Sequence, residues 1–177
     1  MQTPEGSFFS KYRPGVGLSC DGESLYYPGE AALGLIELYE LDHSRQWMEA
    51  AARALSSLAK SRQDANDIPD DHWAIIATEK LISHYDRAAS PSSRDELIRH
   101  ARDICRAMLA EQVTAAHDPK LVGGFTPDGR TTPTATRLEG LLAALEFLPR
   151  EDAALRARIE TAAKLGVAFL LRTQIVS

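Results

Sequence analysis

The sequence predicts an all-α fold of three consecutive helical hairpins, arranged as an inner and an outer layer. Six helical patterns follow one another along the 177 residues, and breaks rich in Gly, Pro or Ser separate them. The odd-numbered patterns are apolar on most faces, whereas the even-numbered patterns carry one apolar stripe. A helix without a polar face must be enclosed, and a helix with one stripe lies outside, so we expect a curved stack of two layers.

The first inner helix follows a long loop. Residues 1–25 are rich in Gly, Pro and Ser, which predicts a loop with a short strand near residues 7–9. The helix begins near Pro28, which suits a first helical position, and it ends near Leu41. Glu30 lies in its first turn, where the helix dipole favours a carboxylate.

The next three patterns are an outer, an inner and an outer helix. The second helix covers residues 45–61, and its apolar residues recur at the spacing of one helical face. The third helix begins at Asp70–Asp71 and is broken by residues 90–93. The fourth, residues 93–113, has the most regular stripe, comprising Leu97, Ile98, Ala101, Ile104, Cys105, Met108 and Leu109.

The last hairpin follows a loop, residues 116–133, in which we expect a small β-hairpin because residues 127–130 read as a turn. The fifth helix, residues 134–148, is apolar nearly all round, and Pro149 ends it. The sixth helix, residues 152–173, returns to a single stripe.

Composition narrows the class of protein. The length fits one domain, residues 1–177, with a sizeable core. A net charge of −5 with scattered Lys and Arg argues against a nucleic-acid partner. Cys20 and Cys105 form neither a disulfide framework nor a metal pair, and we read Cys105 as a core thiol. No targeting signal or membrane-spanning run is visible, so we expect a cytoplasmic protein without a cofactor or a metal.

Short motifs resemble those of the α/α-toroid superfamily. Residues 169–174, Phe-Leu-Leu-Arg-Thr-Gln, look like the first half of its repeat, which continues Gln-x-x-x-Gly-x-aromatic. Residues 2–8, Gln-Thr-Pro-Glu-Gly-Ser-Phe, look like the second half, and Gln112 with Gly124-Phe125 is a looser copy. Residues 27–31, Tyr-Pro-Gly-Glu-Ala, and Asp71-His72-Trp73 resemble segments of six-hairpin glycosidases and related sugar epimerases.

The resemblance implies a carbohydrate-processing protein and half of a ring. The acidic Asp-x-Asp-Asp motif of the terpene-cyclising members is missing, and so is the Cys/His zinc set of the lanthionine-forming members. A complete toroid has about six hairpins and this sequence predicts three. We therefore expect either a fragment of a longer toroid protein or the association of two copies into a homodimer.

The first turns of the inner helices are expected to meet at one rim of the ring. Helix dipoles point into this rim, where they suit anionic groups and hydroxyls of a sugar. As catalytic groups we expect Glu30, Asp71 and His72. The residues expected to bind the substrate supply rings, a guanidinium and a carboxylate, and they are Tyr27, Trp73, Arg137 and Glu139, with Tyr26 and Asp70 nearby.

Each of these residues also has a structural interpretation. Asp70 or Asp71 can be a helix N-cap, and Glu30 can complement the helix dipole. His72 and Trp73 can be hydrogen-bonded or packed core residues. Arg137 can pair with Glu30, Asp71 or Glu139 without any ligand.

Two functions follow from these interpretations. One is a glycoside hydrolase or sugar epimerase-like enzyme, or part of one, with its sugar site at the starts of the inner helices. The alternative is a non-catalytic scaffold that binds a protein or peptide on its concave face, because half a ring is an open trough. A scaffold needs exposed aromatic anchors, so full burial of Tyr27 and Trp73 would argue against it.

Overall fold

The structure is a computed structural model that describes residues 2–19, 24–85, 92–115 and 118–174. Six α-helices dominate this part of the chain, so the predicted all-α class is confirmed. The bounds of the elements are β1 (Lys11–Arg13), β2 (Gly17–Ser19), α1 (Tyr27–Asp42), α2 (Arg45–Ser61), α3 (His72–Ser83), α4 (Arg94–Glu111), α5 (Thr131–Phe147) and α6 (Ala153–Thr173).

The helices form the two expected layers. In the inner layer α3 packs between α1 and α5, and in the outer layer α4 contacts both α2 and α6. Each inner helix also packs against the outer helix that follows it. Most of the buried side chains lie between these layers, in two apolar clusters.

The inner helices run in the same direction. At their starts, a Cβ on Gly29 of α1 would lie 2.6 Å from the backbone nitrogen of Ala74 in α3. At their ends, Glu40 of α1 accepts from Lys80 at 3.0 Å and pairs with His84 at 3.1 Å. On the other side of α3, a Cβ on Gly140 of α5 would lie 2.8 Å from the Cβ of His72. Small residues thus let the first turn of α3 approach both neighbours, as the common rim requires.

The inner helices are less enclosed than their apolar composition predicts. Leu38 is 43% exposed and Leu41 81% exposed on α1, and Leu142 is 46% exposed on α5. These helices lie at the two ends of the stack, where the described residues supply no further helix on one side. Three hairpins rather than a complete ring are expected to leave apolar residues uncovered at both ends, and these leucines are such residues.

Each hairpin is preceded by a loop, and we name residues 2–8, 62–71 and 112–125 the first, second and third lead-in loops. The first is fastened to α2 by the Gln2 side chain, whose Nε2 donates to Gly6 O at 2.9 Å and to Ala50 O at 2.8 Å. Gly6 has a φ of 102°, and a Cβ there would collide with the Arg53 carbonyl.

The third lead-in loop repeats these contacts on α6. Gln112 Nε2 donates to Gly123 O at 3.1 Å and to Ala162 O at 2.9 Å. Gly123 has a φ of 96°, and a Cβ there would collide with the Leu165 carbonyl. Phe125 is buried beneath the loop, as Phe8 is in the first. The Gln–Gly–Phe motif is therefore a docking device for an outer helix.

The second lead-in loop is fastened by charge. Arg62, which follows α2, donates through Nη1 to Asp71 Oδ2 at 2.9 Å. Asp71 Oδ1 accepts from Ala74 N at 3.1 Å, so Asp71 is the N-cap of α3. His100 of α4 is buried nearby, and burial, together with the charge of Arg62, lowers its pKa to about 3.

The predicted β-hairpin was misplaced. Residues 118–130 contain one 3-10 turn, Pro119–Leu121, and a turn closed by a hydrogen bond from Gly129 N to Thr126 O. The chain then enters α5 directly at Thr131, three residues before the predicted start, because Pro133 fits the first turn of a helix. The hairpin found in the described residues is β1–β2, in the segment predicted as loop.

Other predictions on the chain have mixed outcomes. Residues 7–9 form no strand, and Phe8 makes only an isolated bridge with Gln2. Cys105 is buried as predicted, and burial raises the pKa of its thiol to about 12. Helix α3 ends at Ser83, before the predicted break at residues 90–93, because His84 caps it. Cys20 and residues 90–91 of that break lie outside the described residues. None of the described helices combines the length and the apolar character that a membrane span requires.

Candidate functional site

A cavity of about 430 Å³ opens where the starts of α3 and α5 meet the residue before α1. This volume is within the range of small-molecule sites. Its walls carry hydroxyl, carboxylate, imidazole, indole and guanidinium groups, from Tyr26, Asp70, His72, Trp73, Thr126, Arg130, Thr132, Pro133, Thr136 and Arg137. Five of these lie at the predicted rim, namely Tyr26, Asp70, His72, Trp73 and Arg137.

Arg137 is held at the back of the cavity by two carboxylates. Its Nη2 pairs with Asp70 and donates to Glu111 Oε2 at 2.7 Å, and its side chain is 12% exposed. The Nε of Arg137 is buried and has no hydrogen-bond partner in the described part of the chain. The predicted partners of Arg137, which were Glu30, Asp71 and Glu139, were wrong, because Arg137 lies in the second turn of α5 rather than at its start.

His72 forms the floor between two aromatic rings. Its ring centroid lies 5.4 Å from that of Tyr26 and 4.9 Å from that of Trp73. The residue is 4% exposed, and within the described residues its Nε2 has no hydrogen-bond partner. Burial lowers the pKa of His72, so the imidazole is neutral at pH 7 and has a nitrogen free for a ligand.

Tyr26 and Trp73 give the cavity an aromatic side. Tyr26 is 37% exposed and Trp73 is half-buried, so ring surface remains open to a ligand. Burial, and then the charge of Asp70, raise the pKa of Tyr26, so its hydroxyl stays protonated as a donor. An aromatic face beside polar groups suits a molecule that has both apolar and hydroxyl-bearing surfaces.

The start of α5 forms the opposite wall. The side chain of its N-cap residue, Arg130, makes no capping hydrogen bond, and its first turn contains no acidic residue. Arg130 Nε donates to Asp128 Oδ2 at 2.7 Å in a pair that is exposed on both sides. Thr132 and Pro133 of the first turn line the cavity, so the positive end of the helix dipole lies at its wall without a carboxylate in the first turn.

Asp71, predicted to be catalytic, lies behind the cavity rather than in its wall. The residue is fully buried, and its two carboxylate oxygens are used by Ala74 N and Arg62. Burial raises the pKa of Asp71 against the opposing effects of Arg62 and the Ala74 amide. Its contacts fit the alternative interpretation as an N-cap, and they leave no oxygen for a substrate.

Three further predicted residues are not brought into the cavity wall. Glu30 is exposed in the first turn of α1 and forms no salt bridge with the described residues. Glu139 is exposed on α5. Tyr27 lies in a smaller cavity of about 220 Å³, where its ring meets that of Phe8 at 5.7 Å. The common rim thus gathers the α3 and α5 residues and separates them from Tyr27, Glu30 and Glu139.

Sequence reasoning missed the wall contributed by the turn after the third lead-in loop and by the start of α5. Thr126, Arg130, Thr132 and Thr136 line the cavity, and Glu111 pairs with Arg137 from the end of α4. The run of Thr and Pro between residues 126 and 136 was a usable signal, since hydroxyls before an apolar helix indicate its start. For Glu111 we find no local signal, because its role depends on where α4 ends beside α5.

No group of three His, Cys, Asp or Glu side chains among the described residues is arranged to hold a metal ion. Comparisons with protein-family models, with curated proteins and with solved structures found no match. The function therefore has to be argued from this cavity alone.

Proposed function

We propose that the protein binds and processes a carbohydrate in the cavity between the starts of α3 and α5. One observation carries this proposal: the half-buried Trp73 ring stands beside the Asp70–Arg137 pair and three threonine hydroxyls in one cavity of about 430 Å³. A sugar ring presents an apolar face to an aromatic ring and hydroxyls to charged or polar groups. The resemblance to sugar-processing toroids points in the same direction.

The cavity favours proton transfer over two-carboxylate hydrolysis. Glycoside hydrolysis ordinarily uses two carboxyl groups on opposite sides of the bond. Among the described wall residues Asp70 is the one carboxylate, and Arg137 engages it. His72 is neutral and has an unpartnered Nε2, which suits a general base that removes a proton from a sugar carbon, as an epimerase requires.

The proposal also includes a cytoplasmic location and contact with further helical hairpins. A reduced core thiol at Cys105 and the lack of a disulfide framework in the sequence favour the cytoplasm. The ends of the stack expose Leu38, Leu41 and Leu142, which favours contact with further hairpins, from the rest of a toroid or from a second copy.

Binding is tested by calorimetric titration of the full chain with a panel of hexoses, hexosamines and uronates. Trp73→Ala should weaken binding at least tenfold, because the stacking surface is lost. Trp47→Ala is the matched control, since Trp47 is equally half-buried but lies on α2, where it donates to Asp42 at 3.0 Å. Binding that is unchanged by Trp73→Ala contradicts the proposed site.

Turnover is tested separately with any sugar that binds. Exchange of a sugar carbon-bound proton with deuterated water should be abolished in His72→Gln, while the Kd changes less than threefold. Release of reducing sugar from a glycoside, unaffected by His72→Gln, would instead support hydrolysis and contradict the base assigned to His72.

A scaffold that binds a basic peptide is the second candidate. Exposed glutamates on the inner helices that form no salt bridge with the described residues favour it, and they are Glu30, Glu139 and Glu146. Tyr27 and Trp73 are half-buried rather than fully buried, so aromatic anchors remain. Anisotropy of a labelled basic amphipathic peptide should rise on binding and fall with Glu139→Lys. Sugar binding without peptide binding would exclude this candidate.

A further inference from the structure

The helix starts at and near the rim are finished in different ways. Asp71 caps α3, and α1, whose N-cap side chain makes no capping hydrogen bond, has Glu30 in its first turn. By contrast, the N-cap side chain of α5 makes no capping hydrogen bond and its first turn has no acidic residue, although Thr132 and Pro133 of that turn line the cavity. An uncapped helix start in a cavity wall is electrostatically prepared for a negative group.

Two buried nitrogens in the same cavity lack partners, and this observation is independent of the helix start. His72 is 4% exposed, and its Nε2 has no hydrogen-bond partner among the described residues. Arg137 Nε is likewise buried and has no hydrogen-bond partner among them. The charge of Arg137 acts on His72, so the two side chains are close. Arg137 Nε–H needs an oxygen acceptor, and a neutral imidazole with its proton on Nδ1 leaves the Nε2 lone pair open to a ligand.

The two arginine side chains that line the cavity differ in how fully they are neutralised. Asp70 and Glu111 neutralise Arg137, so that corner supplies oriented donors rather than net positive charge. Among the described residues Arg130 forms a salt bridge with Asp128 alone, and both side chains are more than half exposed, so water screens this pair strongly. Arg130 also lines the cavity, which leaves it available to an anion at the start of α5.

We infer that the sugar carries an anionic group, a carboxylate or a phosphate, which binds between Arg130 and the uncapped start of α5. An oxygen of the same ligand accepts from Arg137 Nε–H, and the unprotonated His72 Nε2 stays available as the base of the proposed function. This inference rests on the proposed function, because it defines the substrate class of the same cavity. Both anions have the shared chemistry of a charged group with several acceptor oxygens, and only the experiment separates them.

The test is calorimetric titration of the full chain with glucose, glucuronate and glucose 6-phosphate at low and at high salt. At least one anionic sugar should bind tenfold or more tightly than glucose, and salt should weaken that binding alone. Glucuronate as the tighter ligand identifies a carboxylate, and glucose 6-phosphate identifies a phosphate.

Variants assign the effect to the start of α5. Arg130→Gln should reduce the preference for the anionic sugar to less than threefold, measured as the ratio of its Kd to the Kd of glucose in the same variant. Arg106→Gln is the matched control, because Arg106 is an exposed arginine paired with Asp103 on α4, and it should change nothing. Equal binding of all three sugars overturns this inference and leaves the proposed function standing, whereas binding of none of them overturns both.

Discussion

The first and third lead-in loops are fastened by neutral amides, whereas the second is fastened by a buried ion pair. Gln2 and Gln112 each hold a glycine carbonyl and an outer-helix carbonyl. In the second loop, Arg62 and Asp71 meet at 2.9 Å. Each of the three lead-in loops places the inner helix that follows it in the same layer, so the fold is compatible with either an amide or an ion-pair anchor.

The difference between the anchors shows which lead-in loop can place functional side chains at the rim. The anchoring amides of the first and third lead-in loops place no charged group at the rim, and the hydrogen bonds that these amides make are independent of pH. The second loop buries Asp71, and the preceding residue, Asp70, then lies in the cavity with Arg137. Anchoring by an ion pair therefore positions a second carboxylate and His72 at the one rim where a cavity opens.

The largest effect is expected from a methyl group at the docking glycines. Gly6→Ala and Gly123→Ala should each lower the free energy of unfolding by about 4 kcal/mol, because Cβ collides with a carbonyl of the outer helix at a positive φ. Gly15→Ala is the control: its φ is 80° but nothing lies within 4 Å, so about 1 kcal/mol is expected. Urea denaturation measures all three. Equal losses at Gly15 and Gly123 would show that the loops are not docked.

The second expected effect comes from breaking the ion pair. Asp71→Ala should lower the free energy of unfolding by about 3 kcal/mol, since it removes the α3 cap and leaves Arg62 without its buried partner. Asp71→Asn keeps a capping side chain and should lose less. If the same substitution abolished turnover without loss of stability, Asp71 would be a catalytic residue after all.

The amide anchors should differ in strength because their burial differs. Gln112→Ala should lower the free energy of unfolding by about 2 kcal/mol, since Gln112 is buried and two carbonyls lose their donor. Gln2→Ala should lower it by about 1 kcal/mol, since Gln2 is only half-buried. Chemical denaturation of both variants, with identical m-values, provides the comparison. A larger loss at Gln2 would reverse the ranking of the two loops.

A pH-dependent effect of a size similar to that of the amide anchors is expected from His100 of α4, beside the charged loop. His100 has its pKa lowered to about 3 in the folded state and near 6.5 in the unfolded state, so the unfolded chain binds more protons between these values. Stability contributed by the neutral His100 is therefore lost as pH falls, by about 1.5 kcal/mol between pH 6.5 and pH 5.

The control for this pH dependence is a variant that cannot titrate. His100→Gln should show a shallower fall in stability over the same range. Asp71, whose pKa is raised by burial, changes stability with the opposite sign and remains in both proteins, so the difference between the two curves isolates His100. Parallel curves would mean that the fold does not lower the pKa of His100.

The order and layering of the helices could be predicted because they depend on local patterns. Stripes of apolar residues gave α2 with its observed bounds, and Asp71 has the position of an N-cap in the sequence itself. The docking loops were visible as Gln–Gly–Phe motifs before their contacts were known. The common direction of the inner helices followed from alternation alone.

The composition of the cavity was less predictable because it depends on side-chain direction and on loop length. The expectation of a common rim includes the first turns of all three inner helices. However, Gly29 brings α1 so close to Trp73 that Glu30 and Tyr27 lie outside the cavity. The turn that follows the third lead-in loop supplies Thr126 and Arg130, and the early start of α5 supplies the uncapped helix. No periodicity in the sequence specifies those positions.

The central claim is that the cavity beside Trp73 is a sugar-binding site, and fluorescence of that ring tests it most directly. In a Trp47→Phe protein, Trp73 is the one remaining tryptophan of the chain, so its emission reports on the cavity. Titration with glucuronate or glucose 6-phosphate should shift or quench this emission saturably, and Arg130→Gln should weaken the response. Emission that stays constant up to saturating concentrations of every sugar tested would contradict the account.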